Sequence, residues 1–244
     1  MIHTLWLTVL YQPFYNALIF LTNTVAFGDV GVAVIVLTIL VKLALFPLSK
    51  KATVSQIKMR SIQGELDDIK KNNPDKKEQS KKTFELYKRE GVNPFSSCLV
   101  LAIQLPIIIA LYSVFYKDIA AGQSLLYSFI HFPKHLSPTF LGILDLHAKN
   151  IYLALLAGVT QFFYAHLTIP SPSKIKEDEK LSVSSHLARN MQIQTKYIMP
   201  IFIVFVSYRI SAVVALYWTT SNIVTILQEI WIRRKLKREM IAKN

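Results

Sequence analysis

A lysine inside a long apolar run is the strongest candidate for chemistry in this sequence. Lys42 interrupts the apolar run from Ile35 to Phe46. An ammonium at the centre of a membrane costs about 2.5–3.5 kcal/mol on insertion scales, so such a residue usually faces a water-filled or protein interior. Lys42 also lies close to Pro47, and a lysine stem can snorkel from there to an interface. The lysine alone is therefore compatible with an anion-binding role and with simple snorkelling.

Polar side chains interrupt other apolar runs as well. Gln104 lies within residues 95–116, and Gln161 lies within residues 151–169. Between residues 212 and 232, polar side chains recur every three or four positions and predict a polar stripe on one helix face; they are Trp218, Ser221, Asn222, Thr225, Gln228 and Glu229. Each of them can make an ordinary interhelical hydrogen bond, worth about 0.6 kcal/mol on average. Together with a cation that has no acidic partner at its depth, they indicate a hydrated cavity that attracts an anion.

Motifs for catalysis or metal binding are missing from the sequence. It contains no GxxxxGK[ST] phosphate loop, no HExxH zinc helix and no GxSxG elbow. Cys98 is the only cysteine, which excludes a disulfide framework or a Cys-rich zinc site within one chain. His131 and His135 are four residues apart but flank Pro133, so they make a weak metal pair. We expect no enzymatic activity, no cofactor and no metal.

The elements that must position these side chains are apolar helices separated by basic loops. The 244 residues are 52% hydrophobic, yet they include 28 Lys plus Arg against 15 Asp plus Glu. The charge is clustered, since residues 49–94 alone hold 12 of the 28 basic residues. Apolar runs of about 20 residues between basic loops are typical of a polytopic helical membrane protein. We predict an all-α membrane protein and exclude a soluble enzyme.

The loop charges predict five spans and their orientation. The apolar stretch 197–232 would be about 54 Å long as one helix, against a hydrocarbon core of about 30 Å, so a turn is predicted near residues 207–211. Basic residues number 12, 5 and 6 in segments 49–94, 170–196 and 233–244, but only 3 in segment 117–150. The positive-inside rule then places the first three segments in the cytoplasm, the start of the first span outside, and the C-terminus inside. The predicted spans are 28–48, 95–116, 151–169, 197–209 and 212–232.

Two further segments have predicted roles. In residues 1–27, Thr8, Gln12 and Asn16 recur every four residues and favour an amphipathic helix on the outer interface, although a sixth span is also compatible with the sequence. Residues 49–94 contain a thin apolar stripe, a break at 71–75 and a charged helical segment, which predict a cytoplasmic helical hairpin that moves relative to the bundle. Its net charge of +5 suits a nucleic-acid or anionic-lipid neighbour, and a solvated hairpin explains it equally well.

Several short motifs resemble those of the YidC/Oxa family of membrane protein insertases. They occur in family order and are PL at 47–48, YKREGVNP at 87–94, SCL at 97–99, QLP at 104–106, ALY at 110–112, FLG at 140–142, DL at 145–146, YIMP at 197–200, LYW at 216–218, SN at 221–222 and Gln228. The resemblance implies five helices around a hydrophilic groove that opens to the cytoplasm and the bilayer, and an external amphipathic helix before them. Lys42 stands where the family usually has arginine. A lysine keeps the charge but lacks the planar fork that binds carboxylates in a bidentate manner.

The resemblance also implies a function and partners. The chain is expected to insert nascent membrane proteins into the bacterial cytoplasmic (inner) membrane without ATP hydrolysis. The groove residues are expected to be Lys42, Gln104, Gln161, Tyr217, Trp218, Ser221 and Asn222. Segment 49–94 and the basic tail are expected to meet the ribosome or the signal recognition machinery, with the Sec translocon as a further candidate partner.

Two other functions compete with insertion. One is a small ion or solute transporter in which Lys42 binds an anion. The odd number of spans, the lack of internal repeats and the 7 glycines argue against it. The other is a structural subunit or assembly chaperone that binds helices without translocating anything.

Overall fold

The computed structural model describes residues 4, 6–73, 75–93, 96–116, 119–169, 190 and 193–241, and most of them are helical. Its α-helices are α1 Gln12–Thr24, α2 Val30–Ala44, α3 Phe46–Ser61, α4 Gln63–Asn72, α5 Lys76–Glu90, α6 Ser96–Tyr116, α7 Ile151–Thr168, α8 Met199–Ile210 and α9 Ala212–Ile241. π-Helical turns at Trp6–Tyr11 and Gln194–Ile198 lead into α1 and α8, and a 3₁₀ helix covers Ile119–Leu125. The all-α prediction is confirmed apart from one antiparallel pair of two-residue strands, β1 Thr139–Phe140 and β2 Leu144–Asp145.

Length and composition identify the helices that could cross a bilayer. In the described part of the chain, α7 alone is long and apolar enough to cross a bilayer. The number rises to three if each of two bent pairs forms one span, namely α2 with α3, which meet at 61°, and residues 104–115 with 119–125. Helices α2 and α8, with 15 and 12 residues, are short for a crossing of about 20 residues. The count of five spans therefore stays a prediction.

The loop between α1 and α2 fixes one end of the bundle. Asp29 caps α2 because its carboxylate accepts a hydrogen bond from the Val32 N–H at 3.0 Å and another from the Leu141 N–H at 2.6 Å. Gly28 has a φ of +92°, and a Cβ there would lie 2.7 Å from the carbonyl oxygen of His135. A residue with a side chain would therefore push segment 131–141 away from the start of α2.

The main hydrophobic core lies at this same end, between α1, α2, α6 and the start of α9. Its fully buried members include Tyr15, Leu18, Val34, Leu111 and Val213. The Tyr15 hydroxyl donates to the Ile119 carbonyl at 2.7 Å, and the start of α9 bonds to segment 146–148. This end of the bundle is closed by packed apolar side chains.

The polar face predicted for residues 1–27 is exposed at Thr8 but makes protein contacts at Gln12 and Asn16. Asn16 is 1% exposed, and its side-chain amide donates to the Leu125 carbonyl while its side-chain oxygen accepts from the Tyr127 N–H. Gln12 also donates to the Leu125 carbonyl. This face of α1 holds segment 119–127, so a sequence pattern that suits an interfacial helix serves protein contacts here.

The hairpin segment contains three helices. Helices α3 and α4 form one arm, with a break at Ile62, and α5 forms the other. Ile62, Leu66, Leu86 and Val92 make a small core of their own between the arms. Helix α5 ends at Gly91, which has a φ of +62°, a left-handed conformation that glycine adopts without strain.

Helices α8 and α9 are separated at Ser211, inside the turn predicted from the sequence at 207–211. Helix α9 then continues without a break to Ile241, so residues 233–241 of the predicted basic tail are helical. Most of the predicted loop 170–196 and residues 242–244 of the tail lie outside the described residues.

Candidate functional site

Lys42 lies at the centre of a hydrogen-bonded group from three helices. Its side chain is 9% exposed, and Nζ donates to Oε1 of Gln104 on α6 at 3.1 Å. Nε2 of Gln104 in turn donates to the hydroxyl of Tyr217 on α9. Gln228, about three turns after Tyr217 on α9, donates to the main-chain carbonyl of Lys42 at 3.1 Å. We call Lys42, Gln104 and Tyr217 the lysine group.

The ammonium of Lys42 has more N–H donors than described acceptors. An ammonium carries three N–H donors, and the one described acceptor is Gln104. Among the described residues no ion pair includes Lys42. Glu229, the acidic residue of the polar stripe on α9, is bound by Arg233 instead. The geometry leaves a buried ammonium that the described residues bind only through Gln104.

A second polar group lies between α7 and α9. The Asn222 amide donates to the Thr160 hydroxyl at 3.3 Å and to the Ala157 carbonyl at 3.5 Å. Gln161 and Ser221 are also buried, at 7% and 3% exposed. We call Thr160, Gln161, Ser221 and Asn222 the asparagine group.

Six of the seven predicted groove residues are thus divided between two groups, and Trp218 belongs to neither. Lys42, Gln104 and Tyr217 are joined by hydrogen bonds, whereas Gln161, Ser221 and Asn222 lie on the contact between α7 and α9. No hydrogen bond of the described residues connects the two groups. Trp218 is half-buried and packs against both apolar clusters, one around α2 and one between α7, α8 and α9. The sequence pattern identified polar residues within helices but not how they are distributed between helix contacts.

A third polar cluster was not predicted from the sequence. The carboxylate of Glu229, 3% exposed, accepts from Nε and Nη2 of Arg233 at 2.8 and 2.6 Å and from the hydroxyl of Thr53. Nη2 of Arg60 donates to the carbonyls of Leu167, at 3.3 Å, and Thr168. We call Thr53, Arg60, Glu229 and Arg233 the hairpin-base cluster.

The hairpin-base cluster connects α3 with the ends of α7 and α9. Arg60 on α3 supplies a positive charge to the last carbonyls of α7, where the helix dipole is negative. Burial and the nearby charge of Arg233 lower the pKa of Arg60, and Glu229 raises it. The pair of Glu229 and Arg233, four residues apart, was visible in the sequence. Arg60 and Thr53 were not, because nothing local relates the hairpin to residues over 100 positions later.

The movement of the hairpin relative to the bundle stays a prediction, but its helix α3 makes direct contacts with the bundle. Thr53 and Arg60 hold it by hydrogen bonds to α9 and α7, and Ala52 is buried. The small core around Leu66 and Leu86 lies beyond Ile62 and belongs to the hairpin itself.

Comparison with known proteins gives consistent matches over nearly the whole chain. The family model described as "60Kd inner membrane protein" matches residues 20–239. A protein named membrane protein insertase YidC from Clostridium tetani is 35% identical over 217 residues, which cover 88% of this chain and 86% of that protein. A protein of the same name from Psychromonas ingrahamii is 32% identical over 237 residues, 96% of this chain. This chain spans 37% of the length of the Psychromonas protein.

A solved structure has a related fold. The crystal structure described as "Active YidC insertase crystal structure with the first transmembrane domain resolved" superposes with a TM-score of 0.55 at 26% sequence identity. The superposition covers 88% of this chain and 45% of that one.

Proposed function

Because the chain belongs to the family of the 60Kd inner membrane protein and the YidC insertases, as its motifs predicted, we propose that it inserts membrane proteins into the inner membrane of a bacterium. The insertase would act on newly made membrane proteins and would not hydrolyse ATP. The observation that carries this proposal is the buried ammonium of Lys42, bound only to Gln104 among the described residues.

The proposed mechanism lowers the barrier for the polar end of a substrate. The lysine group would hold water in the inner leaflet and receive an acidic segment that must cross. An ammonium and a carboxylate 4 Å apart attract by about 4 kcal/mol at an effective dielectric constant of 20. The substrate's own apolar helix then leaves water for lipid, at about 25 cal/mol per Å² of buried apolar surface. A membrane potential that is positive outside adds about 2.3 kcal/mol per negative charge moved outwards per 100 mV.

The closed end of the bundle supports the proposed direction of entry. Packed apolar residues such as Leu18, Leu111 and Val213 fill the end that carries segment 119–148. The polar clusters lie farther along the helices towards α3. We propose that the groove opens on the side of α3, in the cytoplasm, and that the predicted five spans and orientation hold.

The proposed partners follow from the same orientation. A cytoplasmic hairpin 49–94 and the basic end of α9 would meet the ribosome or the signal recognition machinery, and the Sec translocon is a further candidate. The relatives are named insertases, and none of the names above describes a transporter. The transporter alternative is without support.

Insertion in a reconstituted system tests the role of Lys42. The purified chain in liposomes should insert a small single-spanning substrate with an acidic external end. Lys42→Ala should slow insertion by about tenfold or more, since a third of the attraction given above, about 1.4 kcal/mol, is tenfold in rate. Lys42→Arg should keep the rate within about threefold, because it keeps the charge. Protease protection of the substrate measures insertion.

A matched control separates the site from net charge. Lys149, an exposed lysine in the predicted external loop, gives the variant Lys149→Ala with the same loss of charge. That variant should insert at the rate of the unchanged chain. Normal insertion of several acidic substrates by Lys42→Ala would refute the site, and a solute flux without insertion by the unchanged chain would refute the insertase.

A further inference from the structure

A basic cleft lies where α2 meets the hairpin, outside all three polar clusters. It has a volume of about 690 Å³, within the range of about 300–1,000 Å³ typical of small-molecule sites. Its lining includes three lysines, Lys50, Lys51 and Lys58, and no acidic residue. We propose that this cleft binds the phosphate headgroup of an anionic phospholipid of the cytoplasmic leaflet.

Hydrogen bonds hold part of the cleft lining in place, while two of its lysine side chains are exposed. Ser55 and Asn93 form a reciprocal pair, in which the hydroxyl donates to the Asn93 carbonyl at 3.0 Å and accepts from the Asn93 N–H at 3.1 Å. Lys58 bridges the two arms of the hairpin because its Nζ donates to the Glu90 carbonyl at 3.1 Å. That bond uses one of three N–H donors, so the ammonium keeps two for a phosphate oxygen. Lys51 and Lys58 are exposed and can turn their charges towards a ligand.

Aromatic residues beside the cleft indicate its depth in the membrane. Phe46, the residue before the cleft, packs edge to face against Trp231 with ring centroids 5.6 Å apart. Nζ of Lys235 lies 5.4 Å from the centre of the Trp231 ring. Trp231 is half exposed, and tryptophan with a neighbouring lysine is enriched at the level of the lipid headgroups.

Apolar residues on either side of the cleft favour a lipid. Leu40 and Leu43, on the last turns of α2, are 49% and 56% exposed, which suits contact with acyl chains within about two helical turns of the cleft. Pro47, Leu48 and Val54 belong to the cleft lining itself. A lipid offers both a phosphate for the lysines and carbon atoms for this wall. A nucleic-acid backbone offers phosphate and polar sugar but no long apolar chain, so the lipid fits the lining better.

The inference rests on the proposed membrane placement of α2 but not on insertion activity. If α2 spans the membrane with the hairpin in the cytoplasm, the cleft lies at the inner surface, where anionic lipids attract each nearby lysine by about 1 kcal/mol. A cleft lined by three lysines would therefore select phosphatidylglycerol over a lipid without net charge.

Native mass spectrometry of the full chain in detergent micelles tests the site. Phosphatidylglycerol or phosphatidylcholine is titrated into the chain and into a triple variant, Lys50→Gln, Lys51→Gln and Lys58→Gln. The control triple is Lys76→Gln, Lys77→Gln and Lys81→Gln, which removes the same charge from exposed positions on α5. A charge-preserving triple with arginine at the three cleft positions reports whether altered packing alone has an effect.

The unchanged chain should retain phosphatidylglycerol at least tenfold more strongly than phosphatidylcholine. The cleft triple with glutamine should lose this preference by about tenfold, and the control triple and the arginine triple should keep it within about twofold. If the triple variant does not fold, the single variant Lys51→Gln replaces it. Lys51 is exposed, and this variant should lose a part of the preference. Circular dichroism confirms that each variant is helical.

Three results would overturn the proposal. The first is equal retention of phosphatidylglycerol by the cleft triple and the unchanged chain, and the second is an equal loss in the control triple. The third is displacement of the lipid by inorganic phosphate, or by a short double-stranded RNA, at concentrations where free glycerophosphoglycerol does not compete. That result would assign the cleft to free phosphate or to nucleic acid.

Insertion into liposomes of phosphatidylcholine alone separates the two proposals. A chain that inserts there but shows no preference for phosphatidylglycerol refutes the lipid site alone. A chain that binds phosphatidylglycerol through the cleft lysines but inserts nothing, even into liposomes that contain phosphatidylglycerol, refutes the insertase alone.

Discussion

Replacing Arg60 by alanine is expected to release the base of the hairpin from the helix bundle. Arg60 is the residue of α3 that donates to the final carbonyls of α7, those of Leu167 and Thr168. Its removal leaves the pair of Glu229 and Arg233 intact, because that pair is held within α9 and by Thr53. The substitution therefore tests one connection between the hairpin and the bundle.

The size of the effect follows from the bonds lost. A hydrogen bond that involves a charged group contributes about 1.5–3 kcal/mol, and a cation at a helix C-terminus about 0.3–1 kcal/mol. Arg60 is only partly buried, so water replaces some of the lost interaction. We expect local opening of this contact to become easier by about 2 kcal/mol, which is about 30-fold in an equilibrium constant.

Hydrogen–deuterium exchange of the full chain in micelles measures this opening directly. Backbone amides near the end of α3 and of α7 should exchange about 30-fold faster in Arg60→Ala than in the unchanged chain, because exchange reports local opening. Arg60→Lys should give a smaller increase, since lysine keeps the charge but lacks the planar guanidinium.

Arg89→Ala is the matched control for this experiment. Arg89 also forms hydrogen bonds, with Glu65 and Glu90, but its side chain is 62% exposed and lies in the outer part of the hairpin. The Arg89→Ala substitution should leave amide exchange in α3 and α7 unchanged. If Arg60→Ala leaves exchange at both helix ends as it was, or if both variants accelerate it equally, Arg60 does not hold the hairpin base.

Two further substitutions test local features of the fold. Gly91→Ala should destabilise the end of α5 by about 1–2 kcal/mol, because φ is +62° there and a Cβ disfavours this region. Faster exchange of amides 86–91 would be the readout, and unchanged exchange would refute the strain. Asp29→Ala should lower the unfolding free energy by about 1–2 kcal/mol, since the cap on α2 and the bond to Leu141 are lost together. A thermal midpoint in micelles equal to that of the unchanged chain would contradict this reasoning, and Asp68→Ala, at an exposed position on α4, is a suitable control.

The sequence by itself determined the class of the protein and its family. Clustered basic residues between apolar runs predict helices in a membrane, because charge is excluded from the hydrocarbon and the backbone there must bond to itself. The need for a break followed from length, since the 36-residue stretch 197–232 does not fit one crossing, and its place near Ser211 followed from the charge of Arg209. Lys42 and the polar stripe on α9 could be identified from the sequence, because a polar residue in an apolar run stands out whatever the packing of its helix.

Only the tertiary structure decided which of these polar residues meet. Lys42 and Gln104 are 62 residues apart and Gln104 and Tyr217 are 113 apart, so their contact depends on how three helices rotate and pack. Arg60 was read as one charge of a solvated hairpin, yet it binds the end of α7. Helix periodicity gives the face on which a side chain lies but not the partner opposite that face. The partner is set by packing of apolar side chains elsewhere along the same helices, which no local pattern records.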